Sequence, residues 1–122
     1  MRLFLLIAFL ALPAAADDRA VFYGTWGTPQ QCARAPIKPG ATVLAEPFEI
    51  GSEWLKQGRV WCRLNWGPIQ PREDGFFSGA DVQCGEDSVR QYFLRMDLTG
   101  ETLTLRWDLL LSNGPLARCP AS

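Results

Sequence analysis

Residues 89–110 read VRQYFLRMDLTGETLTLRWDLL, in which apolar and polar side chains alternate on both sides of Thr99-Gly100. Successive side chains of a β-strand point to opposite faces, so each half places one apolar set on one face. Those sets are Tyr92, Leu94, Met96 and Leu98 in the first half and Leu103, Leu105, Trp107 and Leu109 in the second. The segment therefore predicts two antiparallel strands joined by a tight turn at Thr99-Gly100.

Short segments of strand character continue on both sides of this hairpin. No long segment has a clean helical period, and turn residues recur every few positions. We expect an all-β fold of about eight strands joined in sequence order, which suits a closed antiparallel up-and-down barrel. The further strands are predicted at Val21–Trp26, Ala41–Ala45, Phe48–Ile50, Val60–Trp66, Gly75–Cys84 and Leu116–Cys119.

The connections between these strands are also predicted from turn chemistry. Gly67–Asp74 contains two Pro and three charged residues and is expected to be an exposed loop. Asn113-Gly114 is typical of a type I′ turn. Gly51–Gly58 remains open between a helical turn and a hairpin connection.

The first sixteen residues predict a secretory signal peptide. Arg2 is followed by the apolar run Leu3–Leu12, which is too short to span a bilayer, and then by Pro13 and the A-x-A site at 14–16. We expect residues 1–16 to be removed and residues 17–122 to form a single β-barrel domain with no membrane span. The expected location is the periplasm or the outside of the cell, where disulfide bonds form.

The composition excludes several classes of function. The chain contains no His, which excludes Ser-His-Asp and Cys-His catalysis and removes the commonest zinc ligand. Its formal net charge is −1, so no general affinity for nucleic acid is expected. We expect neither a metal nor a cofactor, and catalysis is the least favoured function.

Four cysteines in an exported chain predict two disulfide bonds. Four cysteines can be connected in three ways, and a topological argument favours the connectivity Cys32–Cys62 with Cys84–Cys119. Cys32 with Cys62 would attach the loop after the first strand to a central strand. Cys84 with Cys119 would secure the last strand, where fraying is the main hazard.

Gly24-Thr25-Trp26, at the end of the predicted first strand, resembles the G-x-W signature of the calycins, which include lipocalins, avidins and small bacterial protease inhibitors. In that superfamily the Trp packs across the closed end of the barrel, under a basic side chain from the last strand. The resemblance therefore implies that Trp26 lies at a barrel floor. Arg118 is the favoured basic partner by position, and Arg106 is the alternative.

The predicted loop at 67–74 and the residues after it form a candidate binding surface. Stiff prolines lower the ordering cost of binding, and Arg is common at interface hot spots. The alternative is a hairpin whose Phe side chains pack into the core. The candidate residues are Ile69, Arg72, Phe76 and Phe77.

These observations favour a non-enzymatic binding protein whose partner is a periplasmic or extracellular protein. The most concrete hypothesis is an inhibitor of a hydrolase. In the small calycin protease inhibitors an N-terminal arm enters the cleft of the enzyme, and the resemblance implies that residues 17–20 are that arm here. One alternative is a carrier of a small apolar ligand in the barrel mouth, although the five Trp and the five Phe after residue 16 are expected to fill the barrel. Another is a structural or stress-related envelope protein without a ligand.

Overall fold

The computed structural model describes residues 18–33, 46–85, 89–108 and 110–120. Eight strands form a closed barrel in which each strand pairs with its neighbours in sequence and β8 pairs with β1. This confirms the predicted all-β, antiparallel up-and-down barrel. The elements are a 3₁₀ turn at Ala20–Phe22, β1 Gly24–Gly27, α1 Pro29–Ala33, β2 Phe48–Ile50, β3 Trp54–Gln57, β4 Val60–Arg72, β5 Gly75–Cys84, β6 Arg90–Thr99, β7 Thr102–Trp107 and β8 Leu111–Arg118.

The two ends of the barrel differ. At the end where β1 begins and β8 ends, the 3₁₀ turn inserts Phe22, which is fully buried, and we call this end the floor. The opposite end, where β4, β6 and β8 begin, is called the mouth. Phe22 and the inward-facing side chains of the strands form one core that extends from the floor. Its members are Phe22, Trp26, Phe48, Ile50, Leu55, Cys62, Leu64, Ala80, Val82, Leu94, Met96, Leu98, Leu103, Leu105 and Leu116.

The alternation predicted for residues 89–110 is present in β6 and β7. Leu94, Met96 and Leu98 are buried on β6, and Leu103 and Leu105 are buried on β7. The strand predicted at 21–26 begins only at Gly24, because Ala20–Phe22 forms the 3₁₀ turn. The ambiguous stretch at 51–58 contains β3, which makes a hairpin with β4 through Gly58 and Arg59.

The prediction of an exposed loop at 67–74 is wrong. β4 continues through Arg72, and only Glu73 and Asp74 form the turn to β5. β3 pairs with β4 no further than Arg63, so the rest of β4 has no strand on that side. Pro68 lies in a register shift between Trp66 and Ile69, where a missing N–H removes no ladder bond.

The type I′ turn predicted at Asn113-Gly114 is also wrong. Both residues lie inside β8, and Asn113 is the register partner of Leu105 on β7. The chain instead reverses after Trp107, where the Leu110 N–H donates to the Trp107 carbonyl at 2.8 Å. Strand pairing has therefore overridden a strong local turn signal.

Both predicted disulfide pairings are wrong. Cys62 and Cys84 are direct register partners on β4 and β5 and are bonded to each other. Cys32 is bonded to Cys119. This second bond arises because α1 follows β1, whose neighbour β8 ends just before Cys119.

Some predictions fall outside the described residues. These are the signal peptide at 1–16, Asp17, and the strand at 41–45. Leu109 also lies outside them. In the portion of the chain that the structure covers, no helix is long and apolar enough to cross a membrane.

Candidate functional site

The G-x-W residues lie at the floor of the barrel. Trp26 is fully buried, and its indole Nε1 donates to the Phe22 carbonyl at 3.0 Å. Gly24 has a φ of 135°, a conformation that L side chains rarely adopt. A Cβ atom at Gly24 would lie 2.8 Å from Nη1 of Arg118. Glycine at this position therefore provides both the backbone conformation and the space for the arginine.

Arg118 closes the floor from the outside. Its guanidinium lies 4.3 Å from the centroid of the Trp26 ring, within the range of a cation–π interaction. Nη1 donates to the Tyr23 carbonyl at 2.7 Å, and Nη2 donates to the Val21 carbonyl at 2.8 Å. The alternative residue, Arg106, is exposed on β7 and makes no such contact. The floor is thus a closed structural element.

The mouth contains an apolar cavity of about 250 Å³. It lies above the filled part of the barrel, so the interior is filled at the floor and open at the mouth. The Cys62–Cys84 disulfide forms part of its wall. The other lining residues are Phe48, Leu55, Gln57, Val60, Tyr92, Trp107 and Leu111.

A hydrogen bond and a ring contact orient Trp107 and Tyr92 in the mouth, and a second hydrogen bond holds the Gln57 amide. Trp107 Nε1 donates to Asn113 Oδ1 at 2.8 Å, and the rings of Tyr92 and Trp107 meet edge to face with centroids 6.0 Å apart. Gln57 Nε2 donates to the Glu46 carbonyl at 3.1 Å. Because these polar groups are paired, the cavity presents mainly carbon surface to a ligand.

Exposed aliphatic side chains surround this end of the barrel. Leu110 is 90% exposed, and Val89 and Leu111 are each 60% exposed. Val60, at the start of β4, is 48% exposed. Four such side chains at one end of a small barrel form an apolar rim, and exposed apolar patches often mark binding sites.

The candidate surface predicted around 67–77 divides between two faces. Ile69 and Phe76 are partly buried against the core. Arg72 and Phe77 face outward, and the Arg72 guanidinium lies 4.4 Å from the Phe77 ring centroid. Arg95 lies 4.6 Å from the same ring and is ion-paired with Asp97 at 3.0 Å. The structure therefore does not bring the four residues together on one surface.

The mouth was not among the sites predicted by residue number. Alternation shows which side chains point inward, but it does not show where along the barrel the interior is filled. The lining residues come from seven different strands and share no motif. The only available signal was the apolar character of Val89, Leu110 and Leu111 beside turns.

Among the described residues, no group of three Asp, Glu or Cys side chains is placed to hold a metal ion. No protein-family model matches the chain, and no curated protein or solved structure is significantly similar to it. The geometry of the chain itself is therefore the basis for any functional proposal.

Proposed function

We propose that this protein is a non-enzymatic binding protein that takes a small apolar ligand in the mouth of its barrel. The observation that carries the proposal is the apolar cavity of about 250 Å³ above the filled floor. The chain has no His to act as a general base, which also favours binding over catalysis.

The size of the cavity limits the ligand. An apolar cavity of about 150 Å³ accepts benzene, whereas drug-sized ligands occupy about 300–1,000 Å³. The mouth therefore suits one or two fused rings, or the end of an acyl chain. Tyr92 is half-buried in the wall, and its hydroxyl has no partner within the described segments. This hydroxyl is available to a polar group at one end of the ligand.

The geometry favours the mouth over a hydrolase-inhibitor surface. The inhibitor hypothesis depends on a free N-terminal arm and on the predicted loop at 67–74. Of the described arm residues, Arg19 lies 5.8 Å from the Trp66 ring centroid, while Asp18 and Ala20 are exposed. The buried Phe22 follows two residues after the arm, so the arm is anchored close to the barrel. The predicted loop is a strand. Inhibition of a hydrolase stays a prediction without a specific contact in its favour.

Export to the periplasm or the outside of the cell is part of the proposal. It is supported by the signal-like sequence at 1–16 and by two disulfide bonds, which are typical of oxidising compartments. Membership of the calycins is proposed on two grounds, the eight-stranded barrel and the Gly24, Trp26 and Arg118 arrangement at its floor.

A titration of ¹⁵N-labelled protein with 1-octanol tests the proposal. We expect saturable chemical-shift changes at amides around the mouth, including those of Leu55, Tyr92 and Trp107. Leu111→Asp places a charge at the cavity wall and is expected to weaken octanol binding by about tenfold or more. Leu110→Asp is the matched control, since Leu110 is exposed and does not line the cavity, and it is expected to bind octanol as the unmodified protein does.

Two results would contradict the proposal. One is an absence of saturable shifts in a protein whose spectrum shows that it is folded. The other is an equal loss of octanol binding in both variants, which would assign the effect to surface charge and not to the cavity.

A further inference from the structure

The outer surface of β4, β5 and β6 carries two adjoining depressions that the mouth does not include. Their volumes are about 520 Å³ and about 350 Å³. Asn65, Trp66 and Asp81 line both, so the two form one continuous groove, which we call the wall groove. Because the wall groove lies on the outside of the barrel, it does not depend on the function proposed for the mouth.

One half of the wall groove is polar. Asn65 and Asp81 are register partners on β4 and β5 at its centre, with Gln83 and Gln91 beside them. These four side chains are exposed and make no hydrogen bond or ion pair with any residue that the structure describes. An amide group has both donors and acceptors, and a carboxylate accepts. This half therefore offers both kinds of hydrogen bond to a ligand.

The other half of the wall groove is aromatic. Phe93 is 46% exposed and lies against Gly79, since a Cβ atom at Gly79 would be 2.6 Å from the Phe93 ring. Phe77 and Pro68 complete this half, and Trp66 stands between the two halves. The Trp66 ring is fixed because its Nε1 donates to the Ser52 carbonyl at 2.7 Å. Glycine at position 79 thus lets an aromatic ring lie close to the sheet at the bottom of the groove.

The charges of the residues that line the wall groove balance. Arg19 and Arg63 are matched by Glu53 and Asp81 among the lining residues. Beside the groove, Arg72 and Arg95 lie 4.4 and 4.6 Å from the Phe77 ring centroid, and Arg95 is paired with Asp97. A groove without excess positive charge does not favour phosphate groups or nucleic acid. Amide, carboxylate and guanidinium groups next to aromatic rings suit a neutral ligand that has many hydroxyl groups and flat C–H faces.

We propose that the wall groove binds a neutral oligosaccharide. The hydroxyl groups hydrogen-bond to Asn65, Asp81, Gln83 and Gln91, since each hydroxyl both donates and accepts. One sugar ring lies against Phe93. An oligosaccharide and not a monosaccharide is the expected ligand, because the polar side chains and Phe93 lie in two adjoining depressions of about 520 Å³ and about 350 Å³.

The test is a titration of the ¹⁵N-labelled full domain with a panel of neutral tetrasaccharides, namely cellotetraose, maltotetraose, laminaritetraose and chitotetraose. We expect one or more of them to shift the amides of residues 63–66, 79–83 and 91–93. Asp81→Asn and Phe93→Ala are each expected to weaken that binding by about tenfold. Trp61→Ala is the matched control, since Trp61 is 50% exposed on β4 but does not line the groove, and it is expected to leave binding unchanged.

The proposal is overturned if no member of the panel binds with a Kd below about 10 mM. It is equally overturned if the shifts lie outside the wall groove, or if the Asp81 and Phe93 variants bind as tightly as the Trp61 control. Shifts of groove amides by an uncharged alanine-rich peptide, with none by the sugars, would assign the groove to protein ligands instead.

Discussion

The guanidinium of Arg118 lies 4.3 Å from the centroid of the Trp26 ring, where the last strand of the barrel pairs with the first. The same guanidinium donates to the carbonyls of Val21 and Tyr23, so it links the end of β8 to the segment that enters β1. Because β1 and β8 pair at only two register positions, this side chain adds to the few contacts that close the barrel, which also include the bond from the Cys119 N–H to the Thr25 carbonyl.

Replacement of Arg118 by Ala is expected to lower the free energy of unfolding by about 1–3 kcal/mol, from the loss of one exposed cation–π contact and two charge-assisted hydrogen bonds. Arg118→Lys keeps the charge but loses the planar pair of donors, and is expected to lose about half as much. Urea unfolding measures both. Arg106→Ala is the control and is expected to change stability by less than about 0.5 kcal/mol. Equal losses at Arg106 and Arg118 would show that the floor contact has no special importance.

Replacement of Gly24 by Ala is expected to destabilise the protein by about 2 kcal/mol, because it combines an unfavourable φ with a close contact to Arg118. The two causes are separable in the double variant with Arg118→Ala. Removal of the guanidinium relieves the contact but leaves the backbone cost, so the two losses are expected to be less than additive. Strict additivity in the double-mutant cycle would contradict the close contact.

A peptide map of the unreduced protein is expected to contain the Cys32–Cys119 and Cys62–Cys84 links and no others. The chain-entropy model further predicts different costs for removing them. The first bond spans 87 residues and the second spans 22. Paired Cys→Ala substitutions are therefore expected to cost about 4.6 and about 3.4 kcal/mol respectively. A Cys32–Cys62 link in the map would contradict the register of the barrel.

Much of the barrel was predictable because each strand has one buried face and one solvent-exposed face. The apolar sets of β6 and β7 alternate over many residues, so their inward faces are determined by sequence alone. The Gly24, Trp26 and Arg118 arrangement was also accessible from sequence, through a resemblance that combines one short motif with a basic residue near the end of the chain.

The errors have a common physical cause, since each depends on which strands are neighbours. Pro68 and the charged residues after it suggested a loop, but this part of β4 pairs with β5. Pro68 is tolerated there because β3 is too short to pair with β4 on the other side. Asn113-Gly114 favoured a turn, but pairing with β7 holds it in β8. The disulfides follow the same rule, because Cys62 faces Cys84 only in this register.

The candidate sites were less predictable than the fold. The mouth depends on how far up the barrel the core reaches, and this is set by the sizes of side chains from several strands. The aromatic side chains were expected to fill the barrel, but Trp61 and Phe93 lie largely outside and Trp26 lies at the floor. The remaining interior aromatics leave the mouth open.

The central claim is that the mouth holds an apolar cavity that can take a ligand. X-ray diffraction from a crystal of the protein under xenon pressure tests it most directly, because xenon enters dry apolar cavities and leaves polar ones to water. We expect a xenon peak bounded by Phe48, Leu55 and Trp107, with no ordered water between them. A mouth filled by ordered water or by its own side chains, without xenon, would contradict the account.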